Sequence, residues 1–442
     1  MKKVLIITPN FPPISCPDLH RVRMALPFFS EFDWQPLILK IDPDEQEGIK
    51  DEELCKTIPD DLKTWQSGYI PKKWVRWFGL NSIGLRSIFH LAHLGDRIIK
   101  QEKPDVIFFS TTMFPLMLLG RYWHWRYKIP YVLDFQDPWL SDYQGSDRES
   151  VYRSWKYKLS QLGAKFLEPL TVKAASQIIS VSSYYVETFL TRYPSLTSDR
   201  FTVLPFGAAE TDFQYLEQSP QKQSLFDRSD SKQHWVYVGR GGNDMSFALR
   251  CLFAAIQKQR KQNYQYFSKL ELHFIGTNYA PGKLAKKNVE PIAAEFGVED
   301  LVREYPHRIP YFEALQCLLD ADVLIVPGSD DPGYSASKIY PYILAKKPLL
   351  AIFHERSGVV KVLESTQGGK VVTFQTEAEP ETIARAIEAR LPNLTQTPDT
   401  NWTAFNSYTA RHMCERLCSV FDSCLSQTTS ESKPAETIAI NY

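Results

Sequence analysis

Short apolar runs that stop at turn residues, joined by stretches of helical periodicity, recur along the chain, and then the whole series starts again. The run Val4 to Thr8 stops at Pro9-Asn10-Phe11-Pro12-Pro13, and a helical stretch from Arg21 to Phe29 leads to a second run, Gln35 to Lys40. Helical stretches Ser87 to Lys100, Phe114 to Tyr127 and Tyr152 to Ala175 precede the runs Val106 to Ser110, Tyr131 to Phe135 and Ile178 to Ser182. Parallel strands need a long crossover between neighbours, so buried runs spaced by helices of this length predict a parallel, doubly wound sheet. The second series has runs Trp235 to Val238, Leu270 to Ile275, Asp322 to Val326 and Leu349 to Phe353, with helices from Ser246 to Arg260 and Ser337 to Lys346. The fold class is therefore α/β, with two Rossmann-like doubly wound domains facing each other across a cleft. Ligands of open α/β sheets bind beyond the carboxyl ends of the strands, so the cleft is where function is expected.

The 442 residues suffice for two or three domains. The boundaries read as residues 1–210 for the first domain and 211–402 for the second, with the polar segment Phe213 to Gln233 as linker. A helix over about 403–425 packs back on the first domain, and 426–442 reads as a mobile tail. With 51 basic and 51 acidic residues, the chain lacks the cationic excess of a nucleic-acid binder, and none is expected as partner. The apolar start Val4-Leu5-Ile6-Ile7 is too short for a secretory leader, and no run reaches the roughly 20 residues of a membrane span. Seven scattered cysteines suit a cytoplasmic chain with reduced thiols. Cys414, Cys418 and Cys424 have only His412 nearby, so they read as packing thiols, and no metal is expected.

Neither a G-x-G-x-x-G fingerprint after the first strand nor a Walker A sequence occurs, which weakens NAD, FAD and P-loop readings. Gly239-Arg240-Gly241-Gly242-Asn243-Asp244 lies between a strand and a helix. It reads either as a cradle, whose amides and Arg240 meet an anion, or as a tight turn. Ser335-Ala336-Ser337-Lys338 opens another helix. Ser335 or Ser337 can cap it, but Lys338 faces the positive end of the dipole, a placement that an anion such as diphosphate would favour. The loop Gly328-Ser329-Asp330-Asp331-Pro332-Gly333-Tyr334 suits ligand hydroxyls or solvent. In the first half, Asp134, Gln136 and Asp137 close a strand at the same edge, and the two carboxylates read either as projecting into the cleft or, for one of them, as a hydrogen-bond acceptor that staples the loop.

These residues carry a resemblance to the retaining GT-B glycosyltransferases of the family-4 type. The opening Ile6 to Pro13 is similar to that family's first strand and acceptor-side loop, and Asp134 to Trp139 resembles its D-x-x-D-P-W segment. Ala174 to Ser182 resembles "A-D-x-I-I-x-V-S", Val203 to Gly207 the "I-x-N-G" segment, and Tyr237-Val238-Gly239-Arg240 the "V-G-R" donor loop. Tyr311 to Asp322 resembles "Y-x-E-L … A-D", and Ser337 to Pro348 resembles "S-K-x-x-E-Y-L-A-x-G-K-P". The chain departs at Gly333 and Pro341, where the family places paired glutamates, at Gln136, where it has histidine, and at Cys16-Pro17-Asp18, where it has glycines.

The resemblance implies transfer of a sugar, with retention, from a nucleotide sugar to a glycan or lipid-linked acceptor. It requires no cofactor, the nucleotide sugar being a substrate. Arg240, Lys338 and Asp137 would be catalytic, and Gly239, Gly241, Gly242, Asp330, Tyr334, Ser335, Ser337 and Tyr340 would hold the donor. Pro13, Asp18, Asp134 and Gln136 would face the acceptor. A sugar-nucleotide epimerase and a non-catalytic nucleotide-sugar-binding scaffold are the alternatives. Residues 62–95 contain no acid, while Lys63, Lys72, Lys73, Arg76 and Arg86 interleave with Trp65, Trp74, Trp77, Phe78 and Phe89. This stretch reads either as a contact with an anionic membrane surface, making the protein peripheral, or as aromatics packed on the first domain.

Overall fold

The computed structural model describes residues 1–46, 48–75, 82–140, 155–278, 285–332, 334 and 336–431. The strands are β1 Lys2–Ile7, β2 Ile14–Ser15, β3 Trp34–Ile41, β4 Ile49–Lys50, β5 Lys63–Ser67, β6 Val106–Ser110, β7 Tyr131–Phe135, β8 Gln177–Ser180 and β9 Phe201–Val203. The second half adds β10 Gln233–Val238, β11 Leu270–Ile275, β12 Val302–Tyr305, β13 Val323–Pro327, β14 Leu349–His354 and β15 Lys370–Phe374. Two parallel sheets result, ordered β5-β3-β1-β6-β7-β8-β9 and β12-β11-β10-β13-β14-β15, and β2 pairs with β4 in a small antiparallel ribbon. Leaving out that ribbon, both sheets follow the doubly wound pattern in which the strand order reverses beside the first strand.

Alternation along β1 fills the first sheet from both faces. Leu5 and Ile7 join one cluster with Leu37, Phe109 and Leu133, while Val4 and Ile6 join another with Ile38, Phe108 and Val132. The second face is closed from far along the chain. The helix Ala410–Glu431 inserts Met413, Cys414, Leu417, Cys418, Phe421 and Cys424 into that cluster. The Phe421 ring lies 5.3 Å from those of both Trp34 and Phe108. The three cysteines of this helix are free and buried, packing as apolar groups.

Two expectations change. The segment read as a linker begins with a helix, Glu210–Gln218, whose Phe213 and Leu216 sit three residues apart and pack on the second-half core. Leu225 and Phe226 pack there too. The last helix also runs to Glu431, so the first residues assigned to the tail are helical, and 432–442 lie outside the described residues. The chain crosses between the halves twice, and the crossings are bonded together. The Ala208 amide donates to the Tyr408 carbonyl at 2.7 Å, and the Ala410 amide donates to that of Ala208 at 2.8 Å. No helix among the described residues is long and apolar enough to cross a membrane.

Candidate active site

A cleft of about 410 Å³ lies between the halves and is lined from both. The loops that follow β1, β6 and β7 supply Asp18, Thr112, Gln136 and Asp137. Those following β10, β12 and β13 supply Gly239, Arg240, Arg308, Tyr334, Ser337 and Lys338. It therefore sits where the strand order reverses in each sheet, the position that open α/β sheets use for ligands.

The glycine turn after β10 corrects the cradle reading. The Gly239 amide donates to the Ile275 carbonyl at 2.9 Å and the Gly241 amide to that of Thr277 at 2.8 Å, because the chain continues alongside the end of β11. Neither amide is left for an anion. Gly241 and Gly242 lie outside the cleft lining, the Gly241 carbonyl accepting from Asn288 and that of Gly242 from the Met245 amide. Gly239 is favoured for a different reason: its φ of +158° is a conformation that L side chains rarely adopt. The Gly239 and Gly241 amides are thus spent on backbone partners, which favours the tight-turn reading at these two residues.

Both cations line the same wall. Arg240 directs its two terminal nitrogens to the Asp244 carboxylate, Nη1 at 2.6 Å, and its guanidinium lies 4.9 Å from the centre of the Tyr334 ring. Its fork is thus occupied by Asp244, a partner the sequence reading did not assign. Lys338 Nζ donates to Tyr237 Oη at 2.6 Å, and that hydroxyl donates to the Arg240 carbonyl at 2.8 Å. Burial, then the Arg240 charge, push the Lys338 amine down to about 7, with Asp244 opposing them. Burial raises the Tyr334 phenol, and the Asp137 carboxylate from the opposite wall contributes to this.

Three other donor-side expectations move. Asp330 lies outside the lining, its amide donating to the Asp244 carbonyl at 2.8 Å. Tyr340 is buried against Tyr408, with ring centroids 5.9 Å apart, so it packs the crossing rather than the cleft. Ser335 lies outside the described residues, as does Gly333.

On the first-half wall, Asp18 is buried. It accepts from Asn10 Nδ2 at 3.0 Å and from the Thr112 hydroxyl at 3.2 Å; burial raises its carboxyl above the usual range, against these bonds. Gln136 Nε2 donates to Asp134 Oδ2 at 2.8 Å and to the Asp18 carbonyl at 3.2 Å. Asp134 does not reach the cleft. It is fully buried as the partner of Arg21, whose Nε donates to it at 2.7 Å, and it also accepts from Ser110 Oγ at 3.0 Å. Only Asp137, three residues on, is exposed on the cleft wall. Pro13 lies outside the lining, its carbonyl accepting from the Asp51 amide at 2.7 Å.

Residues 56–209 match a family model described as Glycosyltransferase Family 4. A glycosyltransferase from Rickettsia africae superposes with a TM-score of 0.57 at 13% identity, over 96% of this chain and 98% of that one. Anabaena HepE in complex with UDP and glucose superposes at 0.55 with 14% identity, over 98% and 100%. The chain has the GT-B fold. A putative UDP-N-acetylglucosamine 2-epimerase from Listeria monocytogenes shares this GT-B architecture at a TM-score of 0.52 and 12% identity, over the full length of both chains. No curated protein matches the chain by sequence.

In this GT-B chain, Pro341 lines the cleft where a family glutamate would stand. Sequence reasoning missed Arg308, also on the cleft wall. It follows a strand end, Tyr305, and the criterion that singled out Arg240 would have found it. It also missed His20, whose ring lies 4.7 Å from that of Tyr311, and the buried pair of Arg23 with Asp212. Burial, then the Arg23 charge, push His20 down to about 3, so it is neutral. A charged or titratable residue in an amphipathic helix reads as solvent-facing, so no local signal marked either. The basic-aromatic stretch divides as well. Arg86 is buried and donates to the Ile70 carbonyl at 2.8 Å, and Trp65 packs on the core. Lys72, Lys73, Trp74 and Phe89 stay exposed, while Arg76, Trp77 and Phe78 lie outside the described residues.

Proposed function

We propose that the cleft binds a nucleotide sugar and transfers its sugar, with retention, to a glycan or lipid-linked acceptor. The observation that carries this reading is the pair of cations, Arg240 and Lys338, brought from two separate strand-to-helix turns to one wall, close enough that one depresses the amine of the other. Asp244 answers the Arg240 charge, and a diphosphate would supply a counter-charge that faces Lys338 as well. As the bond to the sugar breaks, negative charge grows on the departing diphosphate. Cations already fixed in a desolvated cleft stabilise that charge without reorganising, so no metal is needed for this step. Arg240 would exchange Asp244 for phosphate, and Arg308 lies on the same side. Asp137 on the opposite wall would accept a hydrogen bond from the acceptor hydroxyl. The family match over the first half, and the solved complex of HepE with UDP and glucose, support this reading.

Pro341 on the cleft wall, together with the epimerase among the structural neighbours, favours a second reading as a sugar-nucleotide epimerase. Incubating the protein with a panel of nucleotide sugars separates the readings. Free nucleotide, increasing with acceptor, is the expected result; an isomerised sugar would mark the epimerase, and binding without conversion a scaffold. The exposed Lys72, Lys73, Trp74 and Phe89 support a peripheral contact with anionic lipid. Sedimentation with anionic vesicles that salt weakens is expected, and no sedimentation at low salt dismisses it.

A further inference from the structure

At the opposite end of β10 from the cleft, His234 near the start of that strand faces Glu271 and His273 on β11, and all three are buried. His234 Nδ1 and His273 Nε2 are 3.0 Å apart. Glu271 Oε2 lies 3.6 Å from the latter and 3.9 Å from the former. A triangle with these sides has one point about 2.05 Å from all three atoms, and ~2.0–2.2 Å is the distance at which zinc holds imidazole nitrogen and carboxylate oxygen. We propose that His234, His273 and Glu271 form a divalent zinc-type metal site that staples β10 to β11.

The surroundings prepare the ligands. His234 Nε2 lies 3.0 Å from the Asp227 carbonyl and 3.1 Å from Asp230 Oδ1, two acceptors that place the proton on Nε2 and leave the Nδ1 lone pair facing the centre. Glu271 Oε1 is held by Lys232 Nζ at 3.0 Å and Arg303 Nε at 3.1 Å, which orients the side chain with Oε2 inward. His273 Nδ1 has no partner among the described residues, whether or not Nε2 gives its lone pair to a metal, so ligation adds no unsatisfied group. Two imidazoles exclude magnesium and calcium, which prefer all-oxygen sets, and a water would complete four-coordination. The Phe226 ring covers both imidazoles, at 4.9 and 4.8 Å, so the metal would also anchor the segment that enters β10.

The test uses the full chain stripped with a chelator and titrated with Zn²⁺ or Co²⁺ alone. The expected result is one equivalent bound by calorimetry, a raised melting temperature, and a Co²⁺ visible spectrum without a thiolate charge-transfer band. Glu271→Gln, which keeps size and shape, should weaken Zn²⁺ binding at least tenfold, and His273→Gln more. No binding to the stripped wild type overturns the proposal, as does a thiolate band. Binding untouched by Glu271→Gln overturns it too. Variants that melt lower while the stripped wild type ignores Zn²⁺ would show a hydrogen-bonded cluster only.

Discussion

Lys338 enters the cleft with its amine at about 7, against 10.5 for an ordinary lysine, so it is only partly charged near neutrality. A diphosphate arriving beside it favours the charged form, and donor binding should therefore take up a proton. The sign follows directly. As pH rises above about 7 the empty site loses its cation, and donor affinity should fall by up to about tenfold per pH unit until the bound-state value is reached. Calorimetry in buffers of different ionisation enthalpy measures the uptake; a flat affinity from pH 7 to 9, or a slope retained in Lys338→Met, contradicts it. Arg240→Ala and Lys338→Ala should each cut kcat by about 10²–10³-fold, the loss typical of one preorganised charge-stabilising donor. Wild-type rates in either variant would remove the basis of the transferase reading. The two cations were recognisable in the sequence because a glycine turn and a misplaced lysine are local signals. Their partners Asp244 and Tyr237 were not, since a side chain's choice between ligand and neighbour depends on the packed loop.

The end of β7 shows the same division. Asp134 and Asp137 both follow an apolar run, and composition cannot tell them apart. The sheet does so by giving Asp134 to Arg21 in the interior and leaving Asp137 at the open edge. Asp134→Ala would strand a buried guanidinium and should cost about 3–5 kcal/mol in urea unfolding, whereas Asp137→Ala should leave stability near wild type. Equal stabilities would contradict the assignment. Strand recognition followed position in the sheet. β6, β7 and β11 are covered on both faces and paired on both sides, and their apolar runs give their limits residue by residue. In the two parallel sheets, the four strands that the sequence pattern did not reveal, β5, β9, β12 and β15, are the edges; the two-residue strands β2 and β4 of the ribbon were missed as well. Edge strands are short or carry charged residues that discourage further pairing, as Lys63 and Arg303 do here, so their apolar signal is diluted. Glu210–Gln218 was missed for a related reason, its apolar face amounting to little more than Phe213 and Leu216.

The two halves are held in register by the paired crossings. Gly207 lies against the second of these so closely that a Cβ would sit 2.6 Å from Ala410 Cα, a backbone atom that cannot swing aside. Gly207→Ala should force the segments apart and destabilise the chain by about 1–3 kcal/mol in denaturant unfolding; an unchanged midpoint would show that the crossings are not coupled. Buried polar contacts join the halves as well. Arg23 Nη2 donates to Asp212 at 2.6 Å, Tyr311 Oη donates to the same carboxylate at 2.8 Å, and the Tyr311 amide donates to Asp51 at 2.8 Å. None of these has a sequence signature, because each joins residues far apart in the chain. The helix Ala410–Glu431, which closes the second face of the first sheet, adds a constraint of timing. A ribosome delivers that sheet early and the last part of its cover roughly 200 residues later, so Val4, Ile6 and Phe108 have only Val22, Leu26, Phe29 and their neighbours over them while the rest is synthesised. A nascent chain cut short before Ala410 should therefore expose the apolar surface that Leu417 and Phe421 cover, and be a client for chaperones.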